Sequence, residues 1–192
     1  MKIEIYHEEP IEYWCGPDCG DCCVNYVPTF PAEIEDISRR IREPITRFAG
    51  LFDSICEHKF LLYNRTGTIG SGTHCVFYDS GCEIHEFKPI TCASYPIFIN
   101  VKLTEDGLFA EVSGESDQPC KTNGERHVMT DETLLEMIKI GARHNAVMAK
   151  ITSYQFRDSN RYANECYELF LSLELEEAVR ILMESGIDEF DL

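Results

Sequence analysis

Apolar residues recur at helical intervals in two stretches of the chain and alternate with polar ones in a third. Ile34, Ile37 and Ile41 form one helical face, Pro31 suits a first-turn position, and Pro44 stops the helix. Ile45, Phe48, Phe52, Ile55 and Cys56 predict a second helix, with Gly50 as its weak point. Beyond residue 130 the pattern is helical again. Thr130 is an N-cap residue, and Asp131 and Glu132 suit the positive helix end. Leu134, Met137, Ile138 and Val147 mark the first helix there. A second runs from Asn160 to Leu173, and a third from Glu174 to Ser185, ending at Gly186.

The middle of the chain reads as short strands and loops. His74 to Asp79 is a strand candidate, followed by the turn Ser80-Gly81. Ile97, Ile99, Val101 and Leu103 alternate with polar residues, and Asp106-Gly107 turns the chain into Leu108 to Val112, a hairpin. Ile3 and Ile5 give a short alternation at the start. The class implied is α+β: a small cysteine-rich, metal-held core of loops and short strands, with helices on both flanks. Residues 1–125 are expected to form a cysteine-cluster domain, with a helical extension, 126–192, packed on it.

Composition sharpens this picture at one residue type. Ten cysteines among 192 residues are too few for a small disulfide scaffold and too many for ordinary cytosolic usage. The opening MKIEIYHEEP has no apolar run of the secretory kind, and no stretch approaches the roughly 18 apolar residues of a membrane span. A cytoplasmic, reducing location is therefore expected, where clustered cysteines point to metal rather than to disulfides. The net charge of −17 repels nucleic acid and anionic lipid. Arg39, Arg40 and Arg42 are interleaved with Glu35, Asp36 and Glu43, as on a solvated helix face. The expected partner is another protein, neither a nucleic acid nor a membrane.

The cysteines fall into two groups. Cys15, Cys19, Cys22 and Cys23 follow a C-x3-C-x2-C-C pattern; Cys75, Cys82 and Cys92 are spaced by six and nine residues and are followed by Cys120. Four thiols this close in sequence converge on a metal at little loop-closure cost, and Gly16, Pro17 and Gly20 let the backbone bend. Cys22 and Cys23 are neighbours, and successive side chains of an extended backbone point to opposite sides. They serve two different metals, or one ligates and the other supports. Eight cysteines permit two four-thiolate centres. The irregular, all-thiolate, glycine-lined pattern suits an iron–sulfur cluster, expected to be 4Fe–4S; zinc is the alternative, since soft thiolates take both. His74 and His85 flank Cys75 and Cys82 but are expected beside the centre or at the surface. Cys56 and Cys166 stand among apolar neighbours on predicted helices and are assigned to the core.

At CGPDCGDCC (15–23), PAEIEDISRRI (31–41), HCVFYDSGCEIHEFKPITCASYP (74–96) and, by order alone, Cys120, the chain resembles the YkgJ-type cysteine-cluster family. The resemblance covers roughly residues 12–125. Lys88 stands where that family usually has arginine before Pro89, and His85 where tyrosine is common. The resemblance implies zinc or iron chelation. A link between related domains and lysine methylation of flagellin raises an enzyme reading, in which the centre modifies a protein side chain. No nucleotide-binding glycine motif supports it, and Gly67 to Gly72 is too weak a match to a phosphate loop. Three functions follow: an iron–sulfur protein in electron transfer or cluster delivery within a complex, a metal-dependent enzyme, and a zinc-stabilised adaptor.

Overall fold

Ile97, Ile99 and Val101 are buried while Phe98 between them is exposed, as a strand with one wet face requires. The computed structural model describes residues 1–8, 10–15, 23, 27–51, 59–69, 73–114, 125–151, 156 and 158–192. In chain order the strands are β1 (Lys2–Tyr6), β2 (Glu12–Cys15), β3 (Pro28–Thr29), β4 (Ala49–Leu51), β5 (Phe60–Leu62), β6 (Ile97–Thr104), β7 (Gly107–Gly114), β8 (Glu125–Val128) and β9 (Glu189–Asp191). The helices are α1 (Pro31–Ile41), α2 (Ile90–Ser94), α3 (Asp131–Lys150), α4 (Ser159–Ser172) and α5 (Leu175–Glu184). Helices and mixed small sheets make an α+β fold, as the patterning implies. No described helix is long and apolar enough to cross a membrane.

Backbone contacts divide the chain into two units. One comprises Met1–Gly16, Ser94–Lys150 and Leu173–Leu192; the other comprises Pro17–Ala93 and Ile151–Ser172. The first holds a four-stranded sheet ordered β1-β7-β6-β9. The predicted hairpin is β6–β7, with Thr104 opposite Gly107. β1 joins β7 in parallel, Lys2 opposite Gly107. Gly107 has φ +149°, and a Cβ there would stand 2.0 Å from the Lys2 carbonyl oxygen, so only glycine fits. Ile99, Val101, Leu108 and Ala110 are fully buried on one sheet face. Helix α3 lies against β1 and packs on α5. Thr130 caps α3, its Oγ1 accepting from the Thr133 amide at 3.2 Å. After Gly186, at φ +71°, the chain returns as β9 alongside β6. A separate antiparallel pair, β2–β8, sets Cys15 opposite Glu125.

The second unit contains the three-stranded sheet β3-β5-β4 and the pair α1–α4. Arg39 on α1 binds Glu35 at 2.8 Å and Glu168 on α4 at 3.1 Å, and lies over the Tyr167 ring. Ile34, Ile37, Phe60 and Tyr162 are fully buried. Cys166, also fully buried on α4, has its thiol pushed up to about 12 by that burial, as befits an inert core thiol.

Three expectations change. The helix predicted from Ile45 is instead a single 3-10 turn, Ile45–Arg47, followed by strand β4. Pairing of Ala49, Gly50 and Leu51 with β5 outweighs the helical spacing, and Gly50 had already weakened the helix. Residues 52–58, with Cys56, lie outside the described residues. His74 to Asp79 is not a strand: it is a chain of turns with two isolated bridges, Asn64 with Cys75 and Tyr78 with Cys82. Strand β9 lies in what reads as a helical tail; Phe190, its one buried residue, gives no period to detect.

Candidate metal centre

Backbone pairing brings one cysteine of each group, Cys23 and Cys75, together beside the small sheet. β3 runs antiparallel to β5, with Pro28 opposite Leu61, and the Leu62 amide donates to Val27. Beyond β5, the Tyr63 amide donates to the Phe48 carbonyl at 2.7 Å and the Val76 amide to the Tyr63 carbonyl at 2.9 Å. Asn64 bridges Cys75 there, and the Cys75 amide donates to the Cys23 carbonyl at 2.7 Å. Two cysteines far apart in sequence are thus direct backbone partners.

The segment after Cys75 is built from tight turns. The carbonyl of Cys75 accepts from the Tyr78 amide at 3.0 Å, and that of Cys82 from the His85 amide at 3.2 Å. Each cysteine thus opens a turn closed three residues on. Phe77 and Ile84 are buried within these turns, and Phe77 meets Phe48 at 5.3 Å. Asn64 Oδ1 accepts from the amides of Thr66 at 3.0 Å and Thr68 at 3.2 Å, which fixes the turn that follows it.

Cys92 sits on α2, and two bonds fasten the residues just before it. Thr91 Oγ1 donates to the Pro28 carbonyl at 2.7 Å, and the Ile90 amide donates to Glu33 Oε1 at 2.7 Å. The other oxygen of Glu33 accepts from the Phe30 amide at 3.1 Å, at the start of α1. Desolvation is the leading influence on the Glu33 carboxyl and raises it to about 7, against the opposing pull of the two amides and of Lys59. The sequence reading passed over Glu33. Its signal is position: a carboxylate at the third position of a Pro-initiated helix is where an acidic side chain reaches back to the first amides.

Of the eight candidate ligands, Cys23, Cys75, Cys82 and Cys92 are described as half-buried thiols outside any disulfide. All four belong to the second unit, and Cys15 ends β2 in the first. Cys19, Cys22 and Cys120 lie outside the described residues. Among the described residues, no three His, Cys, Asp or Glu side chains are gathered closely enough to hold an ion. The donor chemistry fits iron or zinc: partly shielded thiols, whose soft sulfur suits either metal. His74 stacks on Tyr78 with ring centroids 4.4 Å apart, and His85 is exposed.

Comparison with known proteins agrees with this chemistry. No curated protein and no solved structure matches the chain. The family model CxxCxxCC, "Putative zinc- or iron-chelating domain", matches residues 14–121, more than half of the chain and both cysteine groups. The chain belongs to the CxxCxxCC family.

Proposed function

We propose that this protein binds iron–sulfur through thiolates drawn from Cys15, Cys19, Cys22, Cys23, Cys75, Cys82, Cys92 and Cys120, four to a cluster, and works in electron transfer or cluster delivery to a protein partner. The observation that carries the reading is the backbone bond between Cys75 and Cys23, one cysteine from each sequence group. Thiolates take iron–sulfur clusters and zinc alike, and the irregular, all-thiolate spacing of the cysteines favours the cluster. The half-buried setting of four of these thiols suits a centre reached by a partner rather than sealed in a core. With a net charge of −17, that partner is expected to present a basic face.

Anaerobic purification followed by metal analysis and visible spectroscopy tests the reading. Stoichiometric iron with sulfide and a broad visible absorption supports it. A colourless protein carrying stoichiometric zinc overturns the iron–sulfur assignment and favours the zinc-stabilised adaptor, for which the family description leaves equal room.

A further inference from the structure

Glu33 joins two segments that the metal reading needs in fixed register. Its two carboxylate oxygens accept from amides 60 residues apart, Phe30 at 3.1 Å and Ile90 at 2.7 Å. Phe30 follows the strand that leads away from Cys23; Ile90 opens the helix that carries Cys92. A second bond runs parallel to this one, from the Thr91 hydroxyl to the Pro28 carbonyl at 2.7 Å. Pro89 and Ile90 are buried, and the Cys92 amide is itself bound to the Pro89 carbonyl at 2.9 Å. The Cys92 segment is therefore held to the segment leaving Cys23 by side chains, while Cys75 is held to Cys23 by backbone.

Ionised, the form that both amide bonds favour over the protonated acid, Glu33 suits this position. It has two equivalent acceptor oxygens, and each meets one N–H donor. Glutamine offers one acceptor and one donor, so in Glu33→Gln one of the two amides faces an NH2 group and loses its partner.

We propose that Glu33 is a positioning residue for the metal centre, setting Cys92 in register with Cys23 and Cys75 by bridging the starts of α1 and α2. The inference rests on the metal reading above. Groups that orient ligands without touching the metal typically contribute about 10–100-fold to metal affinity.

The test uses the full chain, reduced and metal-free, titrated with cobalt(II) and followed by the sulfur-to-cobalt charge-transfer band. Glu33→Gln is expected to bind cobalt about 10–100-fold more weakly than the unaltered protein, with a weaker band per bound ion. Ser38→Ala removes a hydrogen bond at the other end of α1, to the Glu43 carbonyl, and is expected to titrate like the unaltered protein. Alkylation of the metal-free forms, mapped by peptide mass spectrometry, is expected to be faster at Cys92 in Glu33→Gln and unchanged at Cys75. If Glu33→Gln does not fold, Thr91→Val tests the parallel bond, with a smaller loss in the same direction. Unaltered cobalt affinity and Cys92 reactivity in Glu33→Gln overturn the proposal, as does an equal loss in Ser38→Ala, which would reduce Glu33 to a helix stabiliser. An unaltered protein that shows no thiolate band overturns the metal reading itself, before any variant is compared.

Discussion

Cys166 and Gly107 show how differently two single residues are fixed. Cys166 is fully buried on α4 and its thiol titrates near 12, above the ordinary 9.0. A raised thiol pKa stabilises the fold below the unfolded value and loses that contribution as pH climbs toward the folded one. Cys166→Ala is thus expected to be about 1–2 kcal/mol less stable at neutral pH, to lose no metal, and to draw level with and then overtake the unaltered protein as pH rises from about 9 to 12. Denaturation midpoints across that range, with metal analysis at neutral pH, check all three points. Loss of metal from Cys166→Ala would move this cysteine from the core to the site. At Gly107 the constraint is backbone. Its positive φ and the Lys2 carbonyl at 2.0 Å from a notional Cβ leave alanine no position. Gly107→Ala is expected to cost more than about 1 kcal/mol, and amide exchange should show the loss first in β1 and the β6–β7 turn.

At the scale of elements, Phe77 is the pivot of the cysteine loop. It lies between Cys75 and Cys82, is buried, and packs on Phe48 beside β4. Phe77→Ala is expected to cost about 3–5 kcal/mol if the cavity does not collapse, and to lower metal affinity, because the two turns lose their common anchor. A variant that is destabilised yet loads metal as before would separate the loop's packing from its ligand geometry. Sequence periodicity found the elements long enough to show a period: α1, the β6–β7 hairpin and the helices α3, α4 and α5. It could not find β3, β4 and β5, whose two or three residues contain no full repeat. Their pairing, not their composition, makes them strands. The same limit explains the misread helix at Ile45. The cysteines themselves were legible as a set because thiol spacing reports chemistry directly. Their supports were not, because Asn64 and Glu33 act through contacts with residues distant in sequence or hidden in turns.

For the whole molecule, the two units differ in what holds them. The first has a continuous apolar layer between sheet and helices: Ile99, Val101, Leu108, Leu134, Ile138 and Leu182 are almost wholly inaccessible. The segment from His74 to Cys92 in the second unit relies on Phe77, Ile84 and Ile90. Each such side chain contributes about 1.5–3 kcal/mol on burial, whereas ordering each residue costs about 1–2 kcal/mol. Three anchors offset the ordering of only a few residues. Metal–thiolate bonds can supply the remainder, since structural zinc contributes roughly 10–16 kcal/mol of apparent binding free energy in small peptides. Metal removal is therefore expected to release Cys75 to Cys92 while α3 and α5 stay folded, with α1 and α4 retaining the ion pairs and packing they share. Hydrogen exchange on reduced, chelator-treated protein would show amides of 75–92 exchanging at least tenfold faster than in the loaded form, roughly the effect of 1.4 kcal/mol, and little change across 131–150 and 175–184. Full protection of 75–92 in a sample verified to be metal-free would mean that turns, anchors and the Glu33 clamp suffice without a metal, and that the cysteines ride on a self-sufficient fold.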